Sequence, residues 1–231
     1  MATDNNIWWA NVLHNRRLAY AKNYLTHFLD HFEPWFLFLR GDGNPKFSTQ
    51  DVGQMYIIEA PLLLVGLYAL ALRTPRVFIL LLFWIFAAIA PAAVARETPH
   101  ALRIENSLPA WLTFISYGIW SLRTKKLARV LIVTGYILSF LYFIHGYVNH
   151  YPREYSGEWQ YGYKEAIAYT ESVKSDYEQI VMTDTLGRPY MYVLFYSRYD
   201  PAMYQKSSKN EQVDAAGFYH NYGFDRYTFV I

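Results

Sequence analysis

Arg96, His100 and Arg103 fall within eight residues of the stretch "VARETPHALRIENSLPAW", between two of the most apolar runs of the chain. Spacings of four and three put all three on one helix face if the stretch is helical from Pro99 or earlier. Arginine offers a planar fork of donors that fits phosphate, and histidine adds a further donor. At headgroup height such a cluster suits a lipid-linked phosphate. The same residues also read as ordinary arginines reaching from the bilayer edge to water, neutralised by Glu97 and Glu105. From the residues alone both readings stand.

Three other sites carry ionisable groups. Glu59 lies inside an apolar run, where a central carboxylate costs roughly 2.5–3.5 kcal/mol on insertion scales and an interfacial one less. It is either functional or an interfacial glutamate that reaches the surface. His27 and His31 are four apart with Asp30 between them, so one helix face can carry both imidazoles. Metal ligation needs a third ligand, no HExxH is present, and the neighbouring Tyr and Phe fit an aromatic-histidine face instead. No metal and no cofactor is expected. "GDG" at 41–43 sets Asp42 in a turn; Asp42 is, with Glu59, a possible further site residue. The chain has no GxSxG, P-loop or Rossmann glycine pattern, and with no cysteine it has neither disulfides nor thiolate metal sites.

Four apolar runs must position these groups: 54–72, 77–95, 107–122 and 130–149. A crossing needs about 20 mostly apolar residues, so the third is short and the others are adequate. The fold expected is an α-helical polytopic membrane bundle of about four spans over 54–149, followed by a small extracytoplasmic α/β domain over 150–231. Residues 1–53 are expected to lie on the outer face. Within 7–33 the apolar positions Leu18, Ala21, Leu25, Phe28, Leu29 and Phe32 recur at helical spacing, which suits a surface helix with Trp8 and Trp9 at the interface. "RGDGNPKFSTQDVG" reads as a loop by its Gly, Pro, Asn and Asp content. In the tail, 162–175 has helical spacing, "EQIVMTD" and "RYTFVI" read as strands, and "PYMYVLFYSRYDP" fits either element.

Charge divides the same way. Residues 1–149 carry 13 basic and 8 acidic side chains, whereas 150–231 carry 8 basic and 11 acidic ones and 14 of the 22 tyrosines. No basic block is dense enough for nucleic acid. An aromatic content of 19% excludes a disordered or coiled-coil chain. Arg73, Arg76, Arg123, Lys125, Lys126 and Arg129 crowd the two short loops, which favours a cytoplasmic side for them. The loops of Arg96 and Asp42, and the tail, then lie outside. An external N-terminal segment without a signal suggests further spans upstream, and a strand at the last residue suggests that the tail domain is cut short too.

The segments "NYLTHFLDHFEPWFLFLRGDGNPKFSTQDVGQMYIIEAPLLLVGLYAL" and "TPHALRIENSLPAWLTFISYGI" resemble the C-terminal half of bacterial GT-C membrane glycosyltransferases of the protein mannosyltransferase and aminoarabinose transferase type. "EWQYGYKEAIAYTES", "DYEQIVMTDTLGRPYMYVLFYSRYDPAMYQ" and "YGFDRYTF" are similar to their small extracytoplasmic domain. The resemblance implies transfer of a sugar from a polyprenyl-phosphate carrier to an acceptor protein or glycolipid at the outer face of the cell membrane. It implies that His100 and Arg103, with Arg96, face the carrier phosphate. It also implies a catalytic acidic residue in a loop N-terminal to this chain, so the chain is expected to be a fragment inactive by itself. A different class remains open: a non-catalytic membrane module whose tyrosine-rich tail binds glycan or a protein, since tyrosines bury much area at small entropic cost.

Overall fold

The structure is a computed structural model that describes residues 15–207, 211–213 and 217–230. The interfacial placement of Trp8 and Trp9 concerns residues outside those described. The chain is mostly helical with a small sheet region, and it divides into two compact units, Met1–Pro152 and Arg153–Ile231.

The first unit begins with α1 (Arg16–Asp30), whose N-terminus is capped by the Asn15 side chain accepting from the Arg17 N–H at 2.9 Å. Leu18, Leu25 and Leu29 remain exposed, while Phe28 and Phe32 turn inward to Phe86, with ring centroids 5.9 Å away in each case. One apolar face therefore points out and another packs. A π-helical turn (Trp35–Leu39) follows. Its Phe36 and Leu37 carbonyls accept from the Gln54 and Met55 N–H groups, which closes the 40–53 loop.

Then come α2 (Glu59–Arg73), α3 (Pro75–Ile89), α4 (Leu108–Leu122) and α5 (Lys126–His145). The run at 54–72 becomes helical only at Glu59. The Glu59 carboxylate reaches back to accept the Tyr56 N–H at 2.7 Å, a capping arrangement that satisfies an orphan donor and sits well with the helix dipole. Its other oxygen accepts the Tyr136 hydroxyl at 2.9 Å, tying α5 to the start of α2. Glu59 is thus a buried helix-end anchor rather than a charge in mid-helix.

Among the described residues two helical stretches are long and apolar enough to cross a membrane: Pro75–Val94, 20 residues, and Lys126–Glu154, 29 residues. The first includes α3 and a 3-10 turn past Pro91; the second includes α5 and a π-turn at Gly146–His150. Four expected spans thus reduce to two that meet this length. α2 and α4 have 15 residues each, about 22 Å at 1.5 Å per residue, because a capping glutamate shortens one and a 3-10 turn (Leu102–Ser107) precedes the other. No side chain of α5 is buried, though its sequence is apolar all round.

α2 and α4 form the tightest helix pair. Arg73 and Arg123, near their C-terminal ends, both stack on Trp120, at 5.9 and 3.7 Å from the ring, so the helices run in the same direction. At their crossing Gly66 faces Gly118, and a Cβ on either would strike the other helix's backbone. Leu62, Leu70, Ile85, Ile89, Trp111, Phe114 and Ile115 fill the core around that contact.

In the second unit α6 (Tyr163–Val173) packs on α7 (Pro189–Ser197), and a short α8 (Pro201–Ser207) follows. The ambiguous aromatic segment is helical because Pro189 starts it at a position that needs no N–H, and Arg198, at φ 55°, ends it. The sheet has the order β1 (Ile180–Thr183), β5 (Tyr227–Val230), β4 (Gly223–Phe224), with β1 parallel to β5 and β4 antiparallel to it. β2 (Glu211–Val213) and β3 (Tyr219–Asn221) form a separate antiparallel pair. Tyr163, Ile167, Val193, Phe224, Tyr227 and Phe229 make this unit's core.

Candidate functional site

Of the groups singled out in "RETPHALR", His100 is the one drawn into a knot of loops at the C-terminal end of α1. Pro99 has no N–H and disfavours the helical region for Thr98. Residues 96–101 accordingly form bends and a turn, and the helical backbone begins only at Leu102 as a 3-10 turn. The expected single face of Arg96, His100 and Arg103 does not form. Arg96 and Arg103 are exposed, whereas His100 is turned inward, 7% exposed.

Asp42 organises the knot. It is 3% exposed, and each carboxylate oxygen takes a backbone donor. Oδ1 accepts the Asn44 N–H at 2.8 Å, a local turn of the kind Asp favours, and Oδ2 accepts the Ala101 N–H at 2.7 Å from across the fold. Asp42's own carbonyl accepts Gln50 Nε2 at 2.6 Å. Gly41 precedes it at φ +77°, where Ser48 Oγ and the Val52 carbonyl leave no room for a side chain.

His100 lies between this carboxylate and α1. Its ring packs on Phe47, centroids 4.8 Å apart, with Nδ1 3.8 Å from Asp42 Oδ2. That nitrogen is buried without a hydrogen-bond partner. The His100 backbone N–H donates to His31 Nε2 at 3.2 Å. His31 must then carry its proton on Nδ1, which donates to the His27 carbonyl at 2.8 Å. Around this centre Thr98 Oγ1 donates to Asp30 Oδ2 at 2.7 Å, and His27 Nδ1 lies 3.3 Å from the Ala93 carbonyl. His27 and His31 thus use their nitrogens to hold backbone. Among the described residues no group of three or more His, Asp or Glu is placed to hold a metal.

No protein-family model, curated protein or solved structure matches this chain.

Outside the knot, Arg103 Nη1 donates to the Glu97 carbonyl at 2.9 Å and Nη2 approaches the Glu97 carboxylate at 3.9 Å. That pair is solvent-exposed and holds the guanidinium weakly. A cavity of about 330 Å³ lies against Ala101 and Leu102, lined also by Leu37, Phe47, Met55 and Trp111 with Gln54 and Glu105. Glu59, by contrast, spends both oxygens on Tyr56 and Tyr136. The sequence marks Asp42 as a turn residue and a possible site residue, but nothing local signals the partners that it, Thr98 and Gln50 find.

Burial pushes His31 below its ordinary value of 6.5; the His27 carbonyl and Asp30 oppose that shift, and nearby His100 adds to it. Since the folded state resists protonation, the stability contributed by neutral His31 is present above about pH 6.5 and is lost as pH falls through the lowered value. Thermal melts of the protein in detergent micelles are expected to decline below pH 6.5, by at most about 1.4 kcal/mol per pH unit for this one proton. His31→Gln is expected to flatten that decline, and an unchanged slope would assign it to other groups.

Proposed function

We propose that this chain supplies the carrier-binding part of a membrane glycosyltransferase that takes a sugar from a polyprenyl phosphate at the outer membrane face. The supporting observation is the Asp42–Ala101 hydrogen bond. It joins the "LRGDGN" and "TPHALR" segments on which the GT-C resemblance rests, and it does so beside two exposed arginines and an apolar cavity. In this reading Arg103 and Arg96 take the phosphate and stabilise the charge that grows on it as the sugar leaves. His100 contributes from behind, holding the loop through His31 and Phe47. α2 and α4 cross the bilayer as short members of the same bundle as α3 and α5. The arginines on Trp120 then mark the cytoplasmic end, and the loop knot and the second unit face outward.

Arg103→Ala is expected to weaken binding of a polyprenyl-phosphate sugar to the protein in nanodiscs by about tenfold to a hundredfold, as for loss of a charge-assisted hydrogen bond. The melting temperature is expected to stay unchanged, because the Glu97 pair is exposed. Carrier affinity equal to wild type would retire the phosphate role. Tyr161 and Tyr169, 77% and 67% exposed on the second unit, favour a second reading in which that unit binds glycan. Glycan binding that survives Arg103→Ala while carrier binding is absent would select it.

A further inference from the structure

At the C-terminal end of the 29-residue apolar stretch, the α-helix gives way to the π-turn Gly146–His150, closed by the Tyr151 N–H donating to the Gly146 carbonyl. In a regular helix residues five apart point about 140° away from each other, at 100° per residue. The π-turn takes up the extra residue and stacks them. His145 and His150 consequently meet, with ring centroids 5.1 Å apart and their Nε2 atoms 3.3 Å apart. Both side chains are exposed. The sequence alone gives no reason to pair them.

We propose that His145 and His150 form a two-histidine site for a borderline divalent transition ion, of the Zn²⁺ or Cu²⁺ class, with water completing the shell. Two imidazole nitrogens on a tetrahedral ion at about 2.0–2.1 Å lie about 3.3 Å from each other, so the separation needs no rearrangement of the turn. Imidazole is the ligand type such ions select. Without metal, Asn149 Nδ2 donates to His145 Nδ1 at 3.1 Å, which leaves the His145 proton on Nε2, shared with His150. Metal takes the place of that proton. The proton passes through solvent to Nδ1, and Asn149 Nδ2 gives up that contact while still donating to the His145 carbonyl, 3.1 Å away. The ion would staple the π-turn at the membrane boundary.

Zn²⁺ calorimetry and Cu²⁺ electron paramagnetic resonance on the tag-free protein in detergent test this. Wild type is expected to bind one equivalent of Zn²⁺ and to show nitrogen superhyperfine splitting with Cu²⁺. His145→Ala and His150→Ala are each expected to weaken binding at least tenfold, whereas His27→Ala leaves it unchanged. Absence of binding in wild type, or full binding in either variant, overturns the site. His145→Ala should melt like wild type, since that side chain is exposed.

Discussion

Gly118→Ala is expected to lower the stability of the first unit by about 3 kcal/mol, at the upper end of overpacking costs, and its melting temperature by roughly 10 °C. A Cβ at 118 would strike the Leu62 carbonyl oxygen, with the Leu62 carbonyl carbon at 2.9 Å and Gly66 N at 3.2 Å. All three are backbone atoms of α2, so no side chain can rotate away. The helices must separate, and the packing of Leu62, Phe114 and Ile115 along the pair loosens with them. Gly66→Ala meets the reciprocal obstacle at the Phe114 carbonyl and should behave alike. Small residues that let backbones touch are the usual way for helices to associate where lipid removes the hydrophobic drive. Gly43→Ala, with nothing near its added carbon, is the control and should stay within about 0.5 kcal/mol of wild type. A Gly118→Ala protein that melts with the control in detergent would show that the pair is not close-packed.

These effects mark where sequence reading stops. The four apolar runs are legible as helices because composition alone sets them. Their ends are not: α2 starts at Glu59 because that carboxylate caps Tyr56, and no hydropathy window sees a cap. Gly66 and Gly118 are visible as glycines in apolar runs, but their mutual contact depends on two helices 52 positions apart running side by side. His100 illustrates the same limit at the site. Counted along the chain it joins two arginines as a cation, yet Asp42 and His31, both distant in sequence, draw it inside. Local turn chemistry was readable in "GDGN"; the partner of its second carboxylate oxygen was not.

That second oxygen carries the other large effect. Asp42→Asn is expected to destabilise the first unit by about 3 kcal/mol, since a charge-assisted hydrogen bond contributes about 1.5–3 kcal/mol and a stranded buried donor costs about 1–3 more. With Oδ1 kept on the Asn44 N–H, the substituted amide presents its NH₂ to the Ala101 N–H, donor against donor, where Asp42 accepted at 2.7 Å. The "TPHALR" segment then loses its tether to the 40–53 loop, and carrier binding should fall together with stability. That joint loss separates Asp42 from Arg103, whose removal should lower binding alone. Amide exchange reads the tether directly. Protection of the Ala101 N–H should fall by about a hundredfold in Asp42→Asn, the factor that corresponds to roughly 3 kcal/mol. Asn44→Ala, which leaves the Asp42–Ala101 bond intact, should keep that protection. An Ala101 amide equally protected in Asp42→Asn and wild type would mean that the two loops are held by something other than this carboxylate.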